Sequence, residues 1–338
     1  MTETLHDYPF SALQDALEQQ GIPRQHALPL FQSLHLGRKV ELSAAVRDWM
    51  EPQARVELEE VRATPSGDGL TQKFLLKLDD EREVESVLMG FSGRHTACLS
   101  SQVGCAMGCV FCATGQMGFR RHLTAGEIAS QVYFLNEKLR ERGEDPVRNL
   151  VMMGMGEPLH NFDAVIDALD ILTDTRGLCI GHSHVTISTV GHVPGILKLA
   201  QVPRNYHLSV SLHGVTNEER GALIPVNKKW PIEDILDACR RYSEIRGQRV
   251  LIAWTLIAGV NDSDEHARRL GELLKGREIH LNLIPLNPTD GYGELPPPEE
   301  RVDRFHEIVK EVGGFPATVR QRRGIDVGAG CGQLAGSS

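Results

Sequence analysis

Residues 149–189 read NLVMMGMGEPLHNFDAVIDALDILTDTRGLCIGHSHVTIST. Short apolar runs from Asn149 to Met153 and from His184 to Thr189 flank an amphipathic stretch from Asn161 to Leu172, with turn residues between them. That is a strand, a helix and a second strand, the repeating unit of a parallel sheet. The same alternation runs outward in both directions. Strands are predicted near Thr96–Ser101, Asn149–Met153, His184–Thr189, His207–Leu212, Arg249–Leu256 and Ile279–Pro285. Helices are predicted near Ala125–Arg140, Asn161–Leu172, Pro194–Ala200, Ile232–Arg246, Ser263–Leu274 and Glu299–Val312. Six such units predict an α/β fold, a partial (β/α)6 barrel whose working residues belong at the C-terminal ends of its strands.

Ahead of these units the pattern differs. FSALQDALEQQG, HALPLFQSLH and LSAAVRDWM read as helices, and RVELEEVRAT, QKFLLKLDD and EVESVLMGF as strands around the turn PSGDG. The expected organisation is a small N-terminal helical domain (1–52), a short antiparallel β extension (53–92) and a barrel core with a C-terminal segment (93–338). The 338 residues, 41% hydrophobic and 24% charged, can bury a sizeable core, which excludes a disordered chain. The longest apolar candidate, Val250 to Val260, contains Trp254 and Thr255 and is too short to cross a bilayer. MTETLHDYPF has no basic start followed by an apolar stretch, so a cytoplasmic protein with no membrane partner is expected. The net charge of -9 is uneven: residues 1–90 carry 9 Lys+Arg against 16 Asp+Glu, leaving 27 of 36 against 29 of 45 for the rest. Attraction to a polyanion must therefore come from local patches.

The seven cysteines are an odd count in a chain read as cytoplasmic, which argues against a disulfide framework. Four of them, Cys98, Cys105, Cys109 and Cys112, fall within fifteen residues. Cys105-Ala-Met-Gly-Cys109-Val-Phe-Cys112 is a Cys-x3-Cys-x2-Cys loop. Three thiolates on one compact loop can hold three irons of a 4Fe-4S cluster and leave the fourth iron open. A zinc site completed by Cys98 or His122 is the competing reading, but zinc ligand pairs are normally separated by a longer spacer.

This loop, with an aromatic residue before its last cysteine, resembles the radical S-adenosylmethionine (SAM) superfamily. CLSSQVGCAMGCVFCATGQMGFRRHLTAGEI, MGMGEPLHN, ISTVGHVP, SVSLHG, IPVNKKW, LIPLNP and CGQLAG, in this order, resemble the RlmN/Cfr family of RNA adenine methyltransferases over about residues 80–336. The resemblance implies that Cys105, Cys109 and Cys112 hold the cluster. It implies that Gly156 and Glu157 bind SAM, the carboxylate facing its amino group, with Ser188, Ser211, Leu212, His213 and Asn287 completing that pocket. It implies that Cys331 carries a methyl group taken from a first SAM, that Cys98 is its catalytic partner in a transient covalent or disulfide-type step, and that Glu85 is a proton acceptor. Two SAM molecules would be used per turnover. Upstream of Cys331 this chain has Val327, Gly328, Ala329 and Gly330, without the acidic residue of the family pattern.

The implied activity is methylation of carbon 2 of an adenosine in 23S ribosomal RNA, with transfer RNA as a further substrate. The alternatives are methylation at carbon 8 and, from another class, a non-catalytic iron-sulfur protein that binds RNA or senses redox state. Carbon 2 carries no acidic proton and no nucleophilic lone pair, which is why a radical route suits it. The implied electron donor is a flavodoxin or ferredoxin, and the implied state a monomer. Arg120, Arg121, Lys228, Lys229, Arg320, Arg322 and Arg323 are candidate phosphate contacts. Met152, Met153 and Met155 read as core and pocket lining, His182, His184 and His192 as structural, and Cys179 and Cys239 as buried apolar residues.

Overall fold

The computed structural model describes residues 4–53 and 56–336. In chain order the helices are α1 (Phe10–Gln19), α2 (Ala27–Leu36), α3 (Ala44–Met50), α4 (Ala113–Gln116), α5 (Ala125–Glu141), α6 (Phe162–Thr173), α7 (Val193–Gln201), α8 (Asn217–Leu223), α9 (Ile232–Arg246), α10 (Asp264–Leu274) and α11 (Glu299–Gly313). The strands are β1 (Glu59–Pro65), β2 (Thr71–Lys77), β3 (Glu83–Phe91), β4 (Arg94–Cys98), β5 (Gln102–Gly104), β6 (Phe119–His122), β7 (Val147–Met152), β8 (Val185–Thr189), β9 (His207–Ser211), β10 (Val250–Leu256), β11 (Ile279–Pro285) and β12 (Ala317–Val319).

Ten strands form one sheet in the order β1-β2-β3-β4-β7-β8-β9-β10-β11-β12. The pairs from β1 to β4 are antiparallel, and those from β4 onward are parallel. The six predicted barrel strands all appear. The β12 strand went unpredicted because it is three residues long, with two of them exposed, so neither periodicity nor an apolar run announces it. Helices α4 and α8 were missed for the same reason of length. The β extension is continuous with the barrel rather than a separate sheet, since β3 pairs with β4 from Val87↔Cys98 to Phe91↔Arg94. Of its first predicted strand, Arg55 lies outside the described residues, and pairing starts at Glu59.

The core strands are buried because helices cover them. Strand β10 hides Ile252, Trp254, Leu256 and Val250, all 0% exposed, which is what a near-continuous apolar run in a parallel sheet predicts. The helical cap docks by both apolar and polar contact. Leu13, Leu17, Leu30 and Phe31 are fully buried, each contributing about 1.5–3 kcal/mol over an exposed position. Asp7 accepts from the Gly126 amide at 2.6 Å at the start of α5, and His35 meets the Tyr133 hydroxyl at 2.6 Å. The start of α5 is further fixed by a capping box in which Thr124 and Glu127 satisfy each other's backbone amides.

One buried amide ties the sheet to the loop that precedes the cysteine triplet. The Gln131 carbonyl accepts from the Ser86 hydroxyl at 2.7 Å and the Ser100 amide at 2.9 Å, and its nitrogen donates to the Ser100 carbonyl at 2.9 Å. Ser100 in turn accepts from the Met155 amide and donates to the Glu85 carbonyl. The turns after β4 and β7 are thereby held in register. Among the described residues no helix is long and apolar enough to cross a membrane.

Candidate functional site

The strand ends converge on one cavity. Cys98 ends β4, Gly156 and Glu157 follow β7, Ser188 and Thr189 end β8, and Ser211 ends β9. Thr255 lies at the end of β10, Asn287 just past β11, and Arg320 just past β12. The cavity is lined by Cys109, Cys112, Gly156, Glu157, Ser188, Ser211, His213, Asn287 and Cys331, nine of the residues singled out in the sequence. Cys98, Cys105, Leu212 and Glu85 stand behind this wall. Leu212 is fully buried, so its side chain is packing beneath the cavity.

The cysteine loop leaves β4 through the two-stranded hairpin of β5 and β6 and ends where Cys112 opens α4. Gly115 is required there: a Cβ would lie 2.8 Å from the Cys109 carbonyl oxygen, so a larger residue would push the loop and helix apart. Burial pushes the Cys105 thiol up to about 12 and raises Cys109 and Cys112, whose negative forms also oppose one another. Backbone amides favour the thiolates, Met107 at Cys105 and Gly115 with Thr114 at Cys112. Buried thiols with waiting N–H donors gain their charge when a cation compensates it.

A second observation points the same way. Arg220 is 0% exposed, its Nη1 donates to Asn227 at 2.8 Å, and its Nη2 reaches the carbonyls of Val190 and Ser211. Its Nε has no hydrogen-bond partner among the described residues, and its charge is felt at Cys109. A buried guanidinium among neutral groups needs an anion nearby. Three thiolates on a 4Fe-4S cluster supply one, so the residues present fit the group. Among the described residues no set of three or more His, Cys, Asp or Glu is placed to hold a single metal ion. Sulfurs bound to three different irons need not converge as ligands of one zinc must.

Glu157 faces the cavity while 2% exposed. Its Oε2 accepts from the Val190 amide at 2.9 Å and its Oε1 from the Leu159 amide at 3.1 Å. Burial, partly offset by these bonds, pushes its carboxyl up to about 7. A cationic ligand group would restore its charge. Gly156, at φ +101°, lets the chain pass Gln102, where a Cβ would stand 2.6 Å from the Gln102 Cβ. His213, at φ +63°, accepts from the Thr255 amide on Nδ1 at 2.8 Å and packs its edge on Phe111. Burial, then Arg220, takes its pKa to about 3, so it is a neutral ring with its hydrogen on Nε2.

Cys331 is exposed and lies on irregular chain. Asn287 donates to its carbonyl at 3.0 Å, the Ala113 amide donates to Gly332 at 2.7 Å, Thr114 donates to Leu334, and the Ala335 amide donates to Glu85 at 2.9 Å. Cys331 sits within electrostatic reach of both Cys98 and Cys112. Burial first, then Cys331, pushes the Cys98 thiol up to about 12, while Arg320 draws it down. Glu85 is 1% exposed, pairs with Lys73 at 2.9 Å, and points its carboxylate at the C-terminal segment rather than at the cavity.

Several expectations need revision. Arg121 forks onto Asp80 and Glu127, Arg322 bonds Asn287, and Arg323 bonds the Gly90 carbonyl and covers Phe91, so these three are engaged internally. Arg320 lines the cavity, and Arg120, Lys228 and Lys229 are exposed. Cys239 is buried as expected, but Cys179 is exposed, held at φ +56° in the tight turn after α6, where its amide bonds Asp174. Met152 and Met153 line the cavity, while Met155 is core and accepts the Glu85 amide on sulfur. His184 bonds Asn149, and His192 caps α7. Sequence reading missed Arg220, Thr255 and Asn282. The polar interruptions in otherwise apolar strands were the available signal for the last two, whereas nothing local marks a buried arginine.

The sequence profile of the Radical SAM superfamily matches residues 99–271. The probable dual-specificity RNA methyltransferase RlmN 2 of Opitutus terrae is 49% identical, the match covering 98% of this chain and 86% of that protein. The dual-specificity RNA methyltransferase RlmN 1 of Myxococcus xanthus is 55% identical over 80% of this chain and 74% of its own. The crystal structure of a radical SAM methyltransferase from Sphaerobacter thermophilus superposes with a TM-score of 0.93 at 41% identity, covering 99% of this chain and 100% of that one. The cysteine loop, the strand-end cavity and these relatives together place the chain in the radical SAM superfamily and, within it, in the RlmN family of RNA methyltransferases.

Proposed function

We propose that this enzyme methylates carbon 2 of an adenosine in RNA, 23S ribosomal RNA with transfer RNA as a second substrate, using two SAM molecules per turnover. The observation that carries the reading is the meeting, at one barrel mouth, of the cysteine loop, Glu157 and a separate cysteine, Cys331, on a C-terminal segment. Cys105, Cys109 and Cys112 would hold the cluster, which when bound supplies the electron that starts radical chemistry on SAM.

The chain's own residues supply order. Glu157 would take the SAM ammonium, with Gly156, Ser188, Ser211, His213 and Asn287 as the other walls and Leu212 as backing. Cys331 would carry the methyl on its sulfur, where Asn287 and the Ala113 amide hold its backbone at the cavity edge. Once that carbon has joined the adenine ring, protein and RNA are linked through the Cys331 sulfur. Cys98 would release the product by attacking that sulfur as a thiolate, forming a Cys98–Cys331 disulfide as the carbon–sulfur bond breaks; the electron pair of that bond leaves with the carbon, which takes up a proton to become the methyl group. The high pKa of Cys98 means that it must lose its proton within the complex, and Arg320 favours that loss. Glu85, the implied proton acceptor, acts in this arrangement on the segment that bears Cys331.

The relatives named RlmN favour carbon 2 over carbon 8, and the carrier and partner cysteines leave a non-catalytic role without use for either. A monomer, as the family resemblance implies, is part of the proposal. A flavodoxin or ferredoxin as donor and a cytoplasmic setting, where free thiols persist, complete the proposal. The test is mass spectrometry of nucleosides from RNA incubated with the reconstituted enzyme, SAM and a reductant under anaerobic conditions. 2-Methyladenosine is expected; 8-methyladenosine or no methylated adenosine overturns the assignment.

A further inference from the structure

Outside the cavity, five rings form a connected chain along the rim of the mouth. Phe119 and His122 come from β6, His160 from the turn after β7, His192 from the start of α7, and Trp230 from just before α9. Their centroids are 5.1 Å apart for Phe119 and His122, 5.8 Å for Phe119 and His160, 5.0 Å for His122 and His160, 6.2 Å for His160 and His192, and 4.5 Å for His192 and Trp230. Phe119 and His160 are exposed, His122 and His192 are half-buried, and Trp230 is buried against His192. None of these rings belongs to the cavity wall.

The orientation of the imidazoles is determined by Gln102, which is fully buried. Its carbonyl oxygen accepts from the Glu157 amide at 2.8 Å, so its nitrogen must face the other way, toward Nδ1 of His122 at 2.9 Å and Nδ1 of His160 at 3.2 Å. A side-chain NH2 only donates, so both Nδ1 atoms accept and each neutral ring carries its hydrogen on Nε2. His192 is fixed likewise, its Nδ1 accepting from the Gly195 amide at 3.0 Å. Burial lowers the pKa of all three, His192 to about 4. At neutral pH the rim therefore presents uncharged rings, each with one N–H still to give.

Cations flank the rings without carboxylate partners. Lys229 lies over Trp230 with its ammonium 4.8 Å from the ring, Arg120 is exposed beside Phe119, and Lys228 is exposed next to Lys229. None of the three has an ion pair among the described residues. Neutral stacking faces, N–H donors and unpaired positive charge together fit bases and phosphates of an unpaired strand better than a protein surface, which would bring apolar or acidic side chains. Gln102 joins the rim to the turn bearing Glu157, so a strand lying there borders the cavity.

We infer that this rim is a stacking platform for unpaired RNA nucleotides flanking the one that enters the cavity, Phe119 and His160 receiving bases while Lys229 and Arg120 meet phosphates. The inference rests on the cavity acting on RNA and adds where the rest of the strand is held. It is tested by fluorescence anisotropy of a labelled, unstructured adenosine-containing oligoribonucleotide with the cluster-loaded enzyme. The Phe119→Ala/His160→Ala variant is expected to lose about tenfold or more in affinity, the scale of one or two lost base stacks. Phe119→Trp should keep wild-type affinity, and Lys229→Ala should lower the slope of log affinity against log salt by about 0.7, the value for one phosphate on a single strand. Iron content and RNA-independent methylation of Cys331 should be unchanged in all three, which controls for folding. Wild-type affinity in the double alanine variant, or equal loss for a fully paired duplex, overturns the platform while wild-type RNA methylation leaves the cavity assignment standing. A wild-type enzyme that neither binds nor methylates any RNA removes both.

Discussion

The two walls of the cavity are built differently. Glu157, Ser188, Ser211 and His213 stand at or just past the ends of parallel strands, with backbone-to-side-chain bonds fixing Glu157 and His213. Cys331 faces them from irregular chain held by the buried Leu334 side chain and by bonds to Asn287, Ala113, Thr114 and Glu85. The contrast separates two tasks. On the proposed function, a cofactor that must be held still belongs on the strands, whereas a sulfur that first collects a methyl and then delivers it belongs on chain outside the sheet.

Disrupting the fixed wall at its base gives the largest effect. Cys109→Ala should lose bound iron and abolish product, read by iron analysis and nucleoside mass spectrometry. Against the C-terminal segment, Glu85→Ala removes the acceptor for the Ala335 amide and the partner of Lys73. It should cut turnover by roughly tenfold while SAM affinity stays near wild type, consistent with a lost buried interaction of about 1–3 kcal/mol. Hydrogen exchange at Ala335 should quicken in the same variant.

The same contrast explains what could be read from the sequence. The parallel strands other than β12 were legible because each carries a long enough apolar run, and Cys105, Cys109, Cys112 and Glu157 were legible because their spacing sits in short local motifs. Position in space was not. That Glu85 would turn toward residue 335 follows from 250 residues of intervening chain, and no local pattern encodes it. Arg220 sits on an unremarkable helix, and only the fold shows that it is buried beside the cysteine loop. Arg121 looked like a free cation because Asp80, its partner 41 residues away, is invisible to local reading.

Smaller effects refine the comparison on the fixed wall. Glu157→Gln should weaken SAM binding by roughly 10- to 100-fold, the scale of one charge-assisted contact. The wild-type carboxyl, raised from 4.5 to about 7, costs the unliganded fold stability as pH rises from about 4.5 toward 7. On the proposed role of Glu157, SAM binding needs the charged form, so affinity should fall as pH drops below about 7, by at most tenfold per unit, and calorimetry across that range checks the sign. Arg220→Met removes a positive charge near Cys109. The cluster should become harder to reduce, its midpoint potential falling by tens of millivolts in a spectroscopic redox titration.

The central claim is that the delivered carbon waits on the C-terminal segment, on the sulfur of Cys331, before it meets RNA. Enzyme whose Cys331 carries an unlabelled methyl can be mixed with RNA, reductant and SAM bearing a trideuterated methyl, and the first equivalent of product weighed by mass spectrometry. The account predicts an unlabelled methyl on that first adenosine, with label appearing only in later turnovers. Deuterium from the added SAM in the first product would contradict it.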